Sequence, residues 1–320
     1  MLPFHQVVAD DFEAVNQRII EQLHSDVELV ENIGHYLIEA GGKRLRPLMV
    51  LLTCRALDYR GQDNLDLAAI IEFIHTATLL HDDVVDTSER RRGRITANAQ
   101  WGNAPAVLVG DFLYSRAFQM MVAIGSMDIM SVLSETTNRI AEGEVQQLVN
   151  AKDPAVTESN YFSVIDKKTA ILFASACEVA AVLSEAAPDQ RQALRAYGHH
   201  VGMAFQLVDD ALDYQGDAEA LGKNVGDDLA EGKPTLPLIY AMQTGTPDQK
   251  ALVAGAIRAG DTTKLPEILR IVEETGAMEY TLERARAQVA SARAQLAALP
   301  ENAYTRAMAE VAEFALARTH

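Results

Sequence analysis

The 320-residue sequence has few of the features that define several common classes of protein. Its two cysteines, Cys54 and Cys177, lie within apolar helical patterns, so we expect buried free thiols rather than disulfides or a zinc site. No stretch approaches the roughly 18 uninterrupted apolar residues of a membrane helix. The first residues lack the basic start and apolar core of a signal peptide. We therefore expect a cytoplasmic protein without a transmembrane segment.

Motifs for several kinds of catalysis are also missing. The sequence contains no HExxH zinc motif, no Walker loop and no nucleophile elbow. Basic residues are scarce, because 28 lysines and arginines face 45 aspartates and glutamates for a net charge of −17. This balance disfavours nonspecific binding to nucleic acid or to anionic lipid. The few dense basic clusters therefore indicate local binding sites.

Helical periodicity dominates what the sequence does contain. Apolar residues recur every three or four positions through most of the chain, as in residues 68–86 and 191–214. This pattern predicts an all-α protein with roughly a dozen helices and little or no sheet. No break is long or biased enough for an interdomain linker, so we expect one large helical domain spanning residues 1–320. Residues 217–235, rich in glycine and charge, are predicted to form a mobile functional loop.

Three aspartates close the helix predicted over residues 68–86. Asp82 and Asp86 are four residues apart and Asp83 and Asp86 three apart, so a helix places the carboxylates on one side. A hard divalent cation would relieve their repulsion, and Mg²⁺ typically takes one or two carboxylates together with substrate phosphates. A solvated acidic helix end is the simpler interpretation of this triplet alone.

The same spacing returns in the helix predicted over residues 191–214. Asp209, Asp210 and Asp213 again close an apolar helical stretch. Two such triplets are harder to attribute to solvated surface than one, and we expect them to face each other across a shared cavity. The pair therefore predicts a divalent-metal site.

Small basic clusters lie between and around the two triplets. Arginine binds phosphate oxygens through a planar fork, whereas lysine presents a compact, mobile charge. Sorted clusters of opposite sign predict an anionic substrate that reaches the carboxylates through metal ions. The basic candidates are Lys43, Arg44, Arg46, Arg90, Arg91, Arg92, Arg94, Lys167, Lys168, Lys223 and Lys233.

Two histidines precede the first triplet. His75 lies seven residues before Asp82, about two helical turns back on the same face, where it could donate to a phosphate. His81 adjoins the triplet and could orient a carboxylate. For each histidine, a buried side chain with its own partners is the alternative interpretation.

Five motifs, taken in order, resemble those of the trans-polyprenyl diphosphate synthases. The resemblance runs from about residue 40 to 240, and the sequence is most similar to the bacterial octaprenyl diphosphate synthases, which make the side-chain precursor of ubiquinone. The motifs are GGKRLRP (41–47), LLHDDVVD (79–86) followed by RRG (91–93), KTA (168–170), AFQLVDDALD (204–213) and GKNVGDDLAEGKPTLP (222–237).

The resemblance implies a single all-α domain around a central active-site cavity, found as a homodimer. It implies Mg²⁺ as the cofactor, with about three ions when substrate is bound and Mn²⁺ as a substitute. The implied direct metal ligands are Asp82, Asp86 and Asp209, with Asp83, Asp210 and Asp213 acting partly through water.

The resemblance also implies which residues hold the two substrates. The implied allylic diphosphate residues are Arg91, Lys168, Lys223 and Lys233, with Thr169 and Gln206 near the reacting end. The implied isopentenyl diphosphate residues are Gly42, Lys43, Arg46, His75 and Arg92. The C-terminal residues ARTH depart from the basic ending typical of the family, and Arg318 is the candidate substitute.

The implied reaction elongates an allylic diphosphate, such as farnesyl diphosphate, by successive trans condensations with isopentenyl diphosphate. The expected product is a long chain, octaprenyl diphosphate, which would be handed to the membrane. Metal ions and fixed cations would stabilise charge on the departing diphosphate. The double bond of isopentenyl diphosphate would attack the allylic cation and a proton would be lost, so no enzyme nucleophile is needed.

Product length should depend on the helix before the first triplet. Ala77 and Thr78 stand about one turn before Asp82, and the small residue at position 77 leaves room for a growing apolar tail. Phe118 and Met121, with Met120 beside them, are candidates for the floor of the tunnel. All of these positions would also be ordinary core residues in a helical protein.

Several other functions remain open at this stage. A synthase of shorter products, geranylgeranyl or farnesyl diphosphate, would share every motif. A class I terpene cyclase would need one metal triplet but no site for a second diphosphate, so GGKRLRP, His75 and the second triplet argue against it. A non-catalytic subunit of a heteromeric synthase could lose either triplet, and both are intact. A structural helical protein with calcium-stabilised helix ends leaves the basic motifs unexplained.

Overall fold

A computed structural model of the chain describes residues 2–39, 41–91, 93–215 and 225–317. Helices account for nearly all regular structure in these ranges, so the predicted all-α fold is confirmed. The helices are α1 (Ala9–Gln22), α2 (Glu28–Glu39), α3 (Leu45–Ala56), α4 (Asp63–Val85), α5 (Ala97–Trp101), α6 (Asn103–Ile124), α7 (Met127–Asn150), α8 (Glu158–Ile165), α9 (Ile171–Leu183), α10 (Pro188–Leu212), α11 (Asp227–Ala230), α12 (Leu236–Thr244), α13 (Pro247–Ala259), α14 (Leu265–Glu274), α15 (Ala277–Gln295) and α16 (Ala303–Ala317). Short 3₁₀ turns cover Pro3–Val8, Thr262–Lys264 and Leu296–Ala298, and a π-helical segment covers Asp166–Ala170.

The arginine-rich segment after α4 forms a small antiparallel hairpin. Its strands are β1 (Arg90–Arg91) and β2 (Arg94–Ile95), with Arg90 opposite Ile95 and Arg91 opposite Arg94. Gly93 in the connecting turn has a φ of +75°, which side chains with a Cβ rarely adopt. This is the sheet present within the described ranges, and it agrees with the expectation of little or no sheet.

The described chain forms two compact units, each built from several segments. Unit 1 consists of Met1–Thr137, Leu172–Gly198 and Arg293–Val311. Unit 2 consists of Asn138–Ile171, His199–Ala292 and Ala312–His320. The expectation of one domain over residues 1–320 stays a prediction.

Helix α4 is the buried centre of unit 1. In its first half Ile70, Ile71, Phe73 and Ile74 have no exposed area, because apolar residues occupy every side of the helix rather than one stripe. The helix packs against α1, α3 and, most extensively, α6. This packing fixes the axis along which the second half of α4 carries its polar side chains.

Close backbone approach joins α9 and α10 in unit 1. A Cβ at Gly198 would lie 2.3 Å from the carbonyl oxygen of Phe173, so glycine is required at this crossing. The neighbouring Tyr197 is fully buried and donates its hydroxyl to the Met308 carbonyl at 2.8 Å. The ring centroid of Phe173 lies 4.2 Å from the Arg46 guanidinium carbon.

Unit 2 contains two buried apolar clusters. One joins Tyr214 and Leu229 to apolar residues of α12, α13 and α14. The other surrounds Tyr161 of α8 with residues of α10 and α12, including Leu207 and Ile239. Helix α8 begins after Thr157, whose hydroxyl accepts the N–H of Asn160 at 3.2 Å and so caps the helix.

Cys54 and Cys177 are free and fully buried, as expected from the sequence. Burial raises the pKa of each thiol to about 12.

Helix α6 is long and apolar enough to cross a membrane, and 33% of its most apolar window is buried. Length and composition are weak evidence for a membrane span, because core helices meet the same test.

Candidate active site

One face of the second half of α4 is partly exposed to solvent. His75, Thr78, Asp82 and Asp86 are partly exposed at spacings of three, four and four residues, whereas the first half of the helix is almost completely buried. These spacings place the four side chains in one row. The structure therefore brings the predicted isopentenyl diphosphate histidine and two predicted metal ligands onto a common surface.

Asp83 points away from this row and into the protein. It is 3% exposed, and its Oδ1 accepts the Nε–H of Arg91 at 2.7 Å. Burial raises the pKa of the Asp83 carboxyl, and the adjacent Arg91 guanidinium opposes that rise. Asp83 thus holds Arg91, which is the predicted allylic diphosphate ligand.

Backbone contacts fasten the arginine hairpin to the end of α4. The Asp83 carbonyl accepts the N–H of Ser88 at 2.9 Å and the side-chain amide of Asn98 at 3.0 Å. The same Asn98 amide reaches the Ser88 carbonyl at 3.1 Å, and Thr96 donates to that carbonyl at 2.6 Å. The hairpin carrying Arg91 is therefore tied to the residues that carry the carboxylates.

His81 secures the end of α4 against α6. Its Nε2 donates to the Val107 carbonyl at 3.2 Å and lies 3.4 Å from Oδ1 of Asp111. A Cβ at Gly110 would lie 2.4 Å from the same nitrogen, so glycine permits the approach. The contacts of this histidine are with α6.

The GGKRLRP segment places one arginine next to His75. The Arg46 guanidinium donates to Nε2 of His75 at 3.1 Å, which makes that nitrogen an acceptor. Lys43 is exposed, and Gly42 before it has a φ of +139°, where glycine is strongly favoured. Gly42 and Lys43 thus lie on the loop before α3, Arg46 lies in the first turn of α3, and His75 lies beside Arg46.

The second triplet divides in the same way as the first. Asp209 is partly exposed, while Asp210 and Asp213 are 4% and 0% exposed. Asp210 accepts the Tyr161 hydroxyl at 2.6 Å and the Gln206 amide at 2.7 Å, and Asp213 accepts the N–H of Asp228 at 3.2 Å. In each triplet, the residues implied as direct metal ligands are the ones that keep exposed area.

Asp228 adds negative charge beside the buried pair. Burial first, and then the Asp228 carboxylate, raise the pKa of the Asp210 carboxyl well above its ordinary range. The Asp213 carbonyl also accepts the N–H of Gly226 at 3.1 Å. The segment from residue 225 to 233 therefore folds against the end of α10.

The predicted catalytic Lys168 and Thr169 lie in the π-helical segment. Such segments are rare and frequently mark functional sites. Here the Ile171 N–H bonds to the Asp166 carbonyl, five residues back. Thr169 donates to Oε1 of Gln206 at 2.9 Å, and Lys168 pairs with Glu144 of α7 at 2.7 Å.

Asp166 anchors the beginning of this segment. Its two carboxylate oxygens accept the Arg139 guanidinium at 2.9 Å and Nε2 of His199 at 2.8 Å. Lys167 donates to Gln146 of α7 at 3.0 Å. The irregular turn is therefore held from two helices, α7 and α10.

The carboxylates fit a metal that shares its coordination with substrate. Within the described ranges, no three acidic, histidine or cysteine side chains converge as a complete protein-made metal site. Mg²⁺ usually takes one or two carboxylates and completes its shell with phosphate oxygens and water. Asp82 and Asp86 in unit 1 offer oxygen ligands of this kind, and so does Asp209 in unit 2.

Some predicted residues lie outside the described ranges, and one is paired locally. Arg92, Lys223 and Arg318 are outside, as is the stretch 216–224 of the loop predicted over residues 217–235. Lys233 is described and forms an ion pair with Glu231. Residues 225–235, the described part of the predicted loop, contain α11.

The residues proposed to set product length all lie in α4 and α6. Ala77 is fully buried, and Thr78 beside it donates to the His75 carbonyl at 2.7 Å. Met120 and Met121 are buried, whereas Phe118 is partly exposed. Their role in chain length stays a prediction.

Comparison with known proteins decides the family. The sequence profile of the polyprenyl synthetases matches residues 27–275. The chain belongs to the polyprenyl synthetase family. It is therefore a trans-prenyltransferase with the all-α fold of isoprenoid synthases, in a family that depends on magnesium.

Relatives within this family are similar over nearly their whole length. The chain is 50% identical over 315 residues to octaprenyl diphosphate synthase of Escherichia coli, covering 98% of each chain. It is 48% identical to a nonaprenyl diphosphate synthase of Rhodobacter capsulatus, over 97% of this chain and 96% of that one. A crystal structure of a Caulobacter crescentus polyprenyl synthase, complexed with calcium and isoprenyl diphosphate, superposes with a TM-score of 0.95 at 43% identity, covering 98% and 96% of the two chains.

Several side chains that hold the polyprenyl synthetase motifs were not predicted from the sequence. Apart from Asp228, which lies within residues 222–237, they belong to none of the five motifs, and some meet partners far away in the sequence, as Tyr161 meets Asp210. Glu144 and Gln146 are two residues apart in α7, which is not a helical spacing, so no local pattern marks them. The unpredicted residues are Asn98, Arg139, Gly143, Glu144, Gln146, Tyr161, Asp166, His199 and Asp228.

Gly143 gives a test of how the π-helical segment is held. A Cβ there would lie 2.8 Å from Cβ of Lys167 and 3.0 Å from the backbone nitrogen of Lys168. We expect Gly143→Ala to displace Lys168 and raise KM for the allylic diphosphate about tenfold, the cost of a weakened ion pair to phosphate. Steady-state kinetics with varied farnesyl diphosphate measure this.

A matched control is available in α13. A Cβ at Gly255 would meet nothing within 4 Å, so Gly255→Ala should leave KM unchanged and stabilise the helix by up to about 1 kcal/mol. Equal kinetics for the two variants would contradict a role for the close approach at Gly143.

Proposed function

We propose that this chain is a long-chain synthase that makes octaprenyl diphosphate from an allylic starter and isopentenyl diphosphate. The observation that carries the proposal is the division of both aspartate triplets, in which Asp82, Asp86 and Asp209 keep exposed area while their neighbours are buried in protein contacts. The product is proposed from the 50% identity to an octaprenyl diphosphate synthase over 98% of both chains.

Two separate sets of residues bind the two diphosphates. Arg91 and Lys168 bind the allylic diphosphate and stabilise the charge it gains on leaving. Lys43, Arg46 and His75 bind the diphosphate of isopentenyl diphosphate and orient its double bond. Asp82, Asp86 and Asp209 would hold magnesium, which would supply Lewis-acid stabilisation of the departing group.

The decisive experiment is incubation with farnesyl diphosphate, radiolabelled isopentenyl diphosphate and Mg²⁺, followed by chromatography of the dephosphorylated products. The expected result is a linear C40 alcohol as the main product. Labelled cyclic hydrocarbon would instead favour a cyclase. A main product of about 20 carbons would favour a shorter-chain synthase, since each condensation adds one isoprene unit.

We also propose that the chain is a cytoplasmic homodimer. Along α6 and the start of α7, Leu108, Val122 and Met127 are 66%, 69% and 76% exposed. A second copy would cover this apolar face, which accounts for the apolar character of α6 without a membrane. Light scattering should give twice the chain mass of 34.9 kDa. A monomer at micromolar concentration would contradict the dimer.

A further inference from the structure

Tyr161 lies behind the predicted reacting end of the site in unit 2. It belongs to α8, is 5% exposed and donates its hydroxyl to Oδ2 of Asp210 at 2.6 Å. A tyrosine this deeply buried normally directs its hydroxyl to one defined partner. Here that partner is a residue of the second aspartate motif.

A chain of hydrogen bonds continues from Asp210. Its Oδ1 accepts Nε2 of Gln206 at 2.7 Å, and Oε1 of Gln206 accepts the Thr169 hydroxyl at 2.9 Å. The chain of hydrogen bonds therefore runs from Tyr161 through Asp210 and Gln206 to Thr169.

The donors and acceptors of this chain fit one arrangement. The Gln206 amide nitrogen faces Oδ1 of Asp210 and its oxygen faces the Thr169 hydroxyl, so each donor meets an acceptor. Thr169 therefore donates its hydroxyl hydrogen to Gln206, and its oxygen lone pairs are left to accept a hydrogen bond within the site. Reversing the Gln206 amide would set oxygen against oxygen at Asp210.

Burial makes this arrangement costly to lose. Asp210 is 4% exposed and has Asp228 and Asp209 as like-charged neighbours. A buried carboxylate in such surroundings needs its donors, since each lost donor leaves a desolvated oxygen. Among the described residues, Tyr161 and Gln206 are the two side-chain donors to this carboxylate.

A second observation concerns the segment that carries Thr169. Its π-helical turn departs from regular helix, so backbone hydrogen bonds alone do not fix Thr169. The Arg139 and His199 contacts to Asp166 hold the start of the turn, and the chain from Tyr161 holds its end. The two sets of contacts together define where the Thr169 hydroxyl lies.

We propose that Tyr161 is a positioning residue for prenyl transfer, which acts through Asp210 to hold the Gln206 amide and the Thr169 hydroxyl in one orientation toward the allylic substrate. The inference rests on the proposed function for the substrate that these groups face. Tyr161 itself is buried and acts without touching the substrate.

The test is a double-mutant cycle in steady-state kinetics. Tyr161→Phe removes one oxygen atom and should lower kcat by about ten- to a hundredfold, with KM for isopentenyl diphosphate unchanged within about twofold. In a Gln206→Ala background, the same substitution should lower kcat no further, because the group that Tyr161 positions is gone. The half-saturating Mg²⁺ concentration should not change.

Tyr197→Phe is the matched control. Tyr197 is also fully buried and donates to a single carbonyl, that of Met308, in unit 1. Both variants should lose a similar amount of thermal stability, measured by circular dichroism, and Tyr197→Phe should keep the wild-type kcat.

Three results would overturn the inference. They are a wild-type kcat for Tyr161→Phe, losses that multiply in the double variant, and a large shift in the Mg²⁺ requirement. Each is read against a wild-type enzyme that makes prenyl product. A wild-type enzyme that makes none would instead overturn the proposed function.

Discussion

Replacing Asp82 with alanine is expected to lower kcat by about a hundredfold to a thousandfold, the effect of removing one main electrostatic contributor to a transition state. Asp82 lies on the open face of α4, in one row with His75 and Asp86. Its loss would remove a carboxylate from the proposed metal site without opening a cavity, because the side chain is partly exposed. Activity with saturating substrates and varied Mg²⁺ measures the effect.

Asp26→Ala is a suitable control for this experiment. Asp26 is exposed, lies before α2 and belongs to the same unit. The control should retain full activity and the same melting temperature as Asp82→Ala. If Asp82→Ala retains more than about a tenth of wild-type activity, the metal assignment is wrong.

Replacing Ala77 with phenylalanine is expected to change the product rather than the rate of the first condensation. Residue 77 lies about 7.5 Å along the α4 axis from Asp82, so a ring there should stop the tail at about fifteen or twenty carbons. Ala77 has no exposed area, and the added ring must displace neighbours at a cost of about 1–3 kcal/mol. Chromatography of the product alcohols measures chain length, and thermal melting measures the cost.

Ala69→Phe separates the effect on product length from the effect on thermal stability. Ala69 is equally buried on the same helix, two turns further from Asp82. It should lose comparable stability and still give the wild-type product. An unchanged product from Ala77→Phe, with normal turnover, would exclude Ala77 as a determinant of length.

The sequence predicted the helices and the family because both depend on local patterns. The apolar spacing of residues 68–86 corresponds to the buried helix α4, and each of the five motifs is a short local stretch of the sequence. The spacing also placed Asp82, Asp83 and Asp86 on one side of a helix. It could not show that Asp83 turns inward, because that depends on Arg91 in the hairpin and on Asn98 beyond it.

Long-range partners account for most of what the sequence left undetermined in the site. Tyr161 meets Asp210 across 49 positions, and no local pattern connects the two. The π-helical turn at Asp166–Ala170 has no signature either, because DKKTA contains ordinary helix-forming residues. Such features arise from packing, here from Gly143 and Glu144 of α7 against the segment.

The two buried thiols make this protein a convenient subject for site-specific labelling. With a pKa of about 12, each native cysteine is thiolate in only about one molecule in ten thousand near pH 8, and neither reaches solvent. A cysteine introduced on an exposed position would therefore react alone with a maleimide dye or spin label. Distances and motions during chain elongation can then be followed in an otherwise native sequence.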